Sequence, residues 1–294
     1  MQEPLLDLRK VRYFVAVAER LHFGRAALDL RISQPALSRQ VRQLEHDLGT
    51  DLFVRTSREV ALTPAGEQLL HDGHQLLAAA HRARERARRA GGQDRLTVGF
   101  MLGVRLDPLL EAFGGAHPEA AVRLERLRWW NHGEAPRDGR VDVGVIRLPV
   151  RSAEGLRMLT LGQERLVAAV PAEHPLAGRP SVPITAFADE PVLRYADAGP
   201  AWNAFWTVDP RPDGTRPAAG PEVRDMEEIL AYVRAGSGVA FLPETVSAAF
   251  ARPHIAYVPV SGVPAGTVVL AWPVARPTEL TRAFVDTVRA FTQP

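Results

Sequence analysis

Along the first 90 residues, apolar positions recur at helical spacing again and again. Val11, Phe14, Val15 and Ala18 fall at i, i+3, i+4 and i+7, which predicts an amphipathic helix over about residues 8–21. A shorter helix follows from about Gly24 to Leu30, with Ala26, Ala27 and Leu30 inward, before Arg31-Ile32 turn the chain. Ser33 is a good N-cap acceptor and Pro35 is tolerated in a first turn, so a third helix starts there. Leu37, Val41, Leu44 and Leu48 give that helix one narrow apolar face, and Gly49 fits its C-cap. Two short helices joined by a tight turn, with small alanines where they cross, make a helix-turn-helix. Asp51–Arg55 and Glu59–Thr63 then predict two short strands around a Thr56-Ser57-Arg58 tip, a wing.

Thr63 followed by Pro64 opens a long helix to about Ala90, on the order of 40 Å at 1.5 Å per residue. Leu69, Gly73, Leu76, Ala80, Ala83 and Ala87 alternate in steps of four and three, the seam of a coiled-coil pair. A polar helix of this length has too little to bury alone, so self-association is expected. Gly73 implies a close approach or a bend. After a short break at Gly91–Asp94, a strand at Leu96–Phe100, a helix at Val104–Ala116 and strands at Ala121–Arg128 and Val141–Arg147 predict a parallel α/β sheet. Leu166–Pro171 begins a second α/β unit that includes a helix from about Met226 to Ala235. The proline-rich loop Asp209–Pro217 reads as an exposed turn.

On the third helix, Pro35, Ser38, Arg39, Arg42, Gln43 and His46 lie opposite the apolar face. Guanidiniums, an amide and a hydroxyl suit base edges and phosphates of a duplex, and they equally suit a solvated basic face. Arg55 and Arg58 in the wing stand at the same fork: phosphate or minor-groove contacts, or simple solvation. The arginines at 82, 84, 86, 88 and 89 complement a helix C-terminus first and nucleic acid second. Glu67, His71 and His74 lie on neighbouring turns, as a metal site or as a solvated polar patch.

Charge sharpens this picture a little. The chain has 294 residues and a formal charge of +2, but residues 1–90 carry 15 basic against 11 acidic side chains and the remainder 21 against 23. The basic excess sits with the helix-turn-helix. Zero cysteines exclude disulfides, thiolate metal sites and a cysteine nucleophile. No apolar run approaches the roughly 18 residues of a membrane span, and no export signal opens the chain, so a cytoplasmic protein is expected. The usual catalytic motifs, including G-x-S-x-G, H-E-x-x-H and the P-loop, are missing. No enzyme, metal or fixed cofactor is expected. A solute-binding protein with no DNA role is the alternative.

Tyr13–Glu19, His22–Ala27, Ser33–Glu45, Leu48-Gly49, Leu52-Phe53, Arg55 and Leu62–Gly66, in this order and spacing, resemble the LysR-type transcriptional regulators. Val141–Val145 and Ala235–Pro243 carry the resemblance, more loosely, into the second half. It implies α/β architecture overall: a winged helix-turn-helix at 1–63, a linker and dimerisation helix at 64–90, and a two-lobed effector domain shaped like a periplasmic binding protein at 91–294. Lobe I would span about 95–163 and 267–294, with Thr267–Trp272 and a closing helix at about Thr278–Phe291 returning to it. Lobe II would span about 164–262. Implied partners are double-stranded promoter DNA, a second copy and commonly a homotetramer, and a small-molecule co-inducer. The DNA-contacting residues would be Ser33, Gln34, Pro35, Ser38, Arg39, Arg42, Arg55 and Arg58. Within the recognition helix, its N-terminal turn from Gln34 to Arg39 should read bases, while Arg42 touches backbone or solvent.

The effector site departs from the family. Where many relatives place a Ser or Thr to hold a carboxylate, this chain has Met101-Leu102-Gly103-Val104, with no hydroxyl. Trp129-Trp130-Asn131-His132 replaces the usual polar helix start. Leu102, Gly103, Trp129, Trp130, Arg147, Arg194, Tyr195 and Met226 are the expected effector residues, each equally readable as core packing. A small, largely apolar or aromatic effector is expected, less dependent on a carboxylate than is usual.

Overall fold

The computed structural model describes residues 6–55, 60–91, 95–275 and 277–292, apart from the side chains of 82, 85, 86 and 88–90. Two compact units emerge: Met1–Gln93 with Asp138–Arg140, and Asp94–Arg137 with Val141–Pro294.

In the first unit, α1 (Leu8–Arg20) is capped by Asp7, whose carboxylate accepts from the Arg9 amide. His22 caps α2 (Phe23–Leu30), and Ser33 Oγ accepts from the Ala36 amide to start α3 (Gln34–Leu48). Gly49, in the left-handed region, stops α3. β1 (Phe53–Arg55) and β2 (Val60–Leu62) pair antiparallel, and Thr63 Oγ1 then accepts from the Gly66 amide to open α4 (Pro64–Ala90). Phe14, Leu37, Val41, Leu44, Leu52 and Phe53 fill the core between them. Arg20 to Asp29 ties α1 to α2, and Lys10 to Asp47 at 2.6 Å ties α1 to α3.

The seam of α4 divides in two. Leu69 is buried in this unit's own core. A Cβ at Gly73 would sit 3.0 Å from Val15 and 3.2 Å from Val11, so the glycine marks a close approach to α1. The first half of the predicted seam is therefore consumed within the chain. Leu76, Ala83 and Ala87 remain exposed.

In the second unit, β3 (Arg95–Phe100), α5 (Asp107–Ala116), β4 (Ala121–Arg126), α6 (Glu134–Arg137), β5 (Val143–Arg147) and β6 (Leu156–Glu164) come first. Next are β7 (Leu166–Pro171), β8 (Val182–Pro183), a 3-10 turn at Ile184–Phe187, β9 (Val192–Tyr195), α7 (Pro200–Trp206) and β10 (Ala219–Val223). The chain closes with α8 (Met226–Arg234), β11 (Ala240–Pro243), α9 (Glu244–Ala249), β12 (Ile255–Ser261), β13 (Gly266–Pro273) and α10 (Glu279–Thr292). One sheet has the order β4-β3-β5-β13-β6 and the other β11-β7-β12-β8, with β9 and β10 as a separate parallel pair.

The first sheet is mixed rather than purely parallel. β3 runs parallel to β4 and β5, but β13 returns from the far end of the chain antiparallel to β5 and β6. The chain thus passes between the sheets at Arg165, between β6 and β7, and again between β12 and β13. Helix α5 starts at Asp107, three residues later than the apolar pattern predicts, because Pro108 lacks the N–H that a helix starting at Val104 would need and sits in the first turn instead. The loop 209–217 is not wholly exposed: Arg211 is buried, its guanidinium 5.3 Å from the Phe241 ring centroid.

Candidate DNA interface and effector cleft

The outward side of α3 is built from the residues that its core does not use. Leu37, Val41 and Leu44 are buried, which leaves Ser33, Gln34, Pro35, Arg39 and Arg42 exposed and Ser38 half-buried. Arg42 donates to Ser38 Oγ at 3.0 Å, and Gln43 donates to Asp47 at 2.9 Å. Arg39 has no partner among the described residues. The free polar groups are concentrated in the first two turns of the helix, where Gln and Arg side chains have the reach to meet base edges.

The wing residue Arg55 is exposed and also makes contacts within its own unit. Its guanidinium binds Glu45 Oε2 at 2.5 Å and lies 5.0 Å from the Phe23 ring centroid and 6.0 Å from that of Phe53. Glu45, buried at the inner end of α3, also accepts from the amides of Leu52 and Phe53 at 3.1 and 3.3 Å. One carboxylate therefore fastens the wing to the recognition helix, and it engages one nitrogen of the exposed Arg55 guanidinium. Arg58 lies outside the described residues. The three side chains considered for a metal are dispersed: His71 meets Gln75 at 2.8 Å and His74 meets Glu19 at 3.2 Å.

The second unit holds a cavity of about 60 Å³, walled by residues from both sheets and from α7, α8 and α9. On this measure a single water needs roughly 10–15 Å³, so the space fits a small molecule. Leu102, Trp129, Arg147, Tyr195 and Met226 line it. Gly103, Trp130 and Arg194 do not. Gly103 presses on Val246, where a Cβ would come within 2.8 Å. Trp130 packs edge-on against Trp129 with Arg128 5.4 Å from its centroid, and Arg194 is exposed because strand alternation turns it away from Leu193 and Tyr195.

Sequence reasoning missed Trp202 and Trp206. They stand four residues apart on α7, a spacing that puts both on one face, and their rings lie 5.3 Å apart. With Tyr195 5.2 Å from Trp129 and 6.3 Å from Trp202, they form a continuous aromatic wall.

Three polar groups of this wall are engaged within the chain, whereas the buried indole N–H groups of Trp202 and Trp206 have no partner among the described residues. Tyr195 donates to the Phe241 carbonyl at 2.7 Å, and burial raises its phenol pKa well above the ordinary value, so the ring stays neutral. Trp129 Nε1 donates to the Ala196 carbonyl at 2.9 Å. Arg147 is held by both oxygens of Glu164 at 2.6 and 3.1 Å, by the Leu102 carbonyl at 2.6 Å and by Thr245 at 3.0 Å. Arg126 and Arg128 bring positive charge to the lining and Asp225 negative charge; partial burial and the neighbouring Arg128 lower the Arg126 pKa, and Asp225 opposes the shift. Beside the wall, His132 is buried 4.9 Å from the Trp202 centroid, and desolvation lowers its pKa.

A winged helix-turn-helix joined by a long helix to a domain with a largely apolar cleft defines a ligand-responsive, DNA-binding regulator. Residues 8–67 match the bacterial regulatory helix-turn-helix protein, lysR family, and residues 89–293 match the LysR substrate binding domain. The chain belongs to the LysR family of transcriptional regulators. It is 34% identical to the Hca operon transcriptional activator HcaR of Escherichia coli (strain K12), over 91% of this chain and 92% of that one. It is 32% identical to the HTH-type transcriptional regulator AlsR of Bacillus subtilis (strain 168), over 83% of each. Among solved structures, full-length CbnR complexed with its target DNA matches with a TM-score of 0.56 and 28% identity, covering 98% of this chain and 100% of that one. Among the described residues, no helix is long and apolar enough to cross a membrane. A solute-binding protein with no DNA role is not favoured, since the helix-turn-helix match accounts for residues 8–67.

Proposed function

We propose that the chain reads promoter DNA with the N-terminal turns of α3, as a homodimer joined along the C-terminal half of α4 and assembled further into a homotetramer. Gln34, Ser38 and Arg39 contact base edges, with Ser33, Pro35 and Arg42 against the backbone. Arg55 holds the wing in place, and Arg58 reaches the phosphates. The observation that carries this reading is the row of outward polar side chains on α3, with Gln34 and Arg39 exposed and uncommitted, set over a fully packed inner face. The solved complex of CbnR with its target DNA supports it.

A small-molecule co-inducer in the cavity controls promoter activity by binding one assembly state more tightly than the other. The protein acts in the cytoplasm, where its promoters are, and performs no catalytic step. The test is a reporter fused to the adjacent promoter, paired with a gel shift. Leu242→Trp fills the cavity and should freeze the reporter's response to growth conditions while operator affinity stays within about threefold. A response that persists with the cavity filled would overturn the effector role, and the absence of sequence-specific binding would overturn the DNA role.

A further inference from the structure

Gly24 stands in the first turn of α2 with an ordinary helical backbone. Glycine weakens a helix relative to alanine, and no left-handed turn calls for it here. What it provides is room. A Cβ at position 24 would lie 3.1 Å from His22 Cε1, 3.4 Å from His22 Nδ1 and 3.4 Å from Gln34 Oε1. Two exposed side chains therefore converge on this one spot.

The two differ in their freedom to move. His22 is tethered, since its Nδ1 accepts from the Arg25 amide at 3.2 Å to cap α2. The backbone of Gln34 is fixed as well. Ser33 caps α3 directly before it. In the turn between the helices, the Arg31 and Ile32 amides donate to the Leu28 and Ala27 carbonyls at 3.1 and 3.0 Å. Only the side chain of Gln34 is left to choose a direction, and its amide lies over Gly24, beside the capping imidazole. A glutamine discriminates between bases through the angle at which its amide meets the base edge, so whatever supports that amide sets the preference.

We infer that Gly24 is a specificity-determining position of the DNA interface: its missing side chain, with His22 alongside, seats the Gln34 amide and so selects the base pair that Gln34 accepts. Gly24 is a positioning residue and touches no base itself. This rests on the reading of Gln34 as a base contact. An alanine methyl would crowd His22 by a few tenths of an ångström and only graze Gln34. A β-branched side chain would extend into the place of the amide itself.

Selection from a duplex library with randomised half-sites, using the full-length protein, reads the preference at each base pair. Gly24→Val should flatten it by about tenfold at the pair that Gln34→Ala flattens, and Gly24→Ala by about threefold at the same pair. Both variants are checked for folding by circular dichroism, and Gly24→Ala carries the test alone if the valine does not fold. In a Gln34→Ala background neither substitution should move the profile by more than about twofold, whereas a purely structural defect would persist there. A wild-type profile for Gly24→Ala, a change at other base pairs, or a change that survives Gln34→Ala overturns the proposal. A profile unmoved by Gln34→Ala removes both this role and the base-reading role of Gln34. One flattened by Gln34→Ala but not by Gly24→Ala removes the seat alone.

Discussion

The outer face of α3 and the wall of the cleft are built on opposite plans. On α3, Gln34 and Arg39 stand in solvent with their hydrogen-bonding groups uncommitted. In the cleft, Tyr195, Trp129 and Arg147 have spent theirs on Phe241, Ala196 and Glu164. A duplex presents a dense, fixed array of charge and acceptors, so donors held outward bind it with little rearrangement. A small apolar ligand offers few such groups, and any polar group it buried without a partner would cost about 1–3 kcal/mol. The contrast shows that satisfied polar groups in a cavity wall carry information about the ligand, just as free ones do.

The largest test of this contrast is Arg147→Ala. Glu164 would be left buried without its counter-ion, which costs about 3–5 kcal/mol. Thermal unfolding should show a correspondingly lowered transition for the effector domain, and a loss below about 1 kcal/mol would show that Arg147 is not a structural member of the wall.

Next comes Glu45→Ala. Removing an acid close to the DNA face would strengthen binding if charge alone mattered. Because Glu45 anchors Leu52, Phe53 and Arg55, the substitution should cost about 1–3 kcal/mol for each buried donor left unmade, and weaken operator binding. A gel shift showing tighter binding would return Arg55 to a direct phosphate role.

Smaller again are Gln34→Ala and Arg39→Ala, each expected to lose about 1–3 kcal/mol of discrimination at particular base pairs. Ranking a set of operator variants checks this, and an unchanged ranking removes the residue from the readout.

The mildest test is pH. His132 is neutral in the fold because desolvation depresses its pKa, with Glu134 pulling the other way. The unfolded chain binds its proton near pH 6.5, so stability should fall as pH drops below that value, by at most about 1.4 kcal/mol per pH unit. Melting temperatures of the wild type and His132→Gln should converge toward acid, and parallel curves would exclude His132 as the source.

The helix-turn-helix is legible in the sequence because local signals agree there. Ser33, Pro35, the Leu37-Val41-Leu44 face and Gly49 each specify the same helix, with the same start and stop. The glycine at 73 announces a close approach, though not that α1 is the partner. Long-range choices are less visible. The apolar run Val268–Trp272 is the same whether β13 pairs parallel or antiparallel, so the mixed sheet cannot be read from it. Trp202 and Trp206 hide in a helix of seven residues, too short for periodicity to stand out. Arg194 was readable in principle: alternation through Leu193 and Tyr195 sends it outward. The role of Arg55 depends on Glu45, ten residues away, and a contact at that distance leaves no local pattern.

The close packing of Gly73 on Val11 and Val15 makes the N-terminal half of α4 turn with its head as one piece. In a pair of chains joined along the exposed alanines further on, the number of residues between those two anchorages fixes the phase at which one head faces the other. Each residue added there would rotate a head by about 100°, whereas seven would return it to within about 20° of its starting direction. The helix then acts as an indexing shaft, and the spacing of operator half-sites that the protein accepts is encoded in its length.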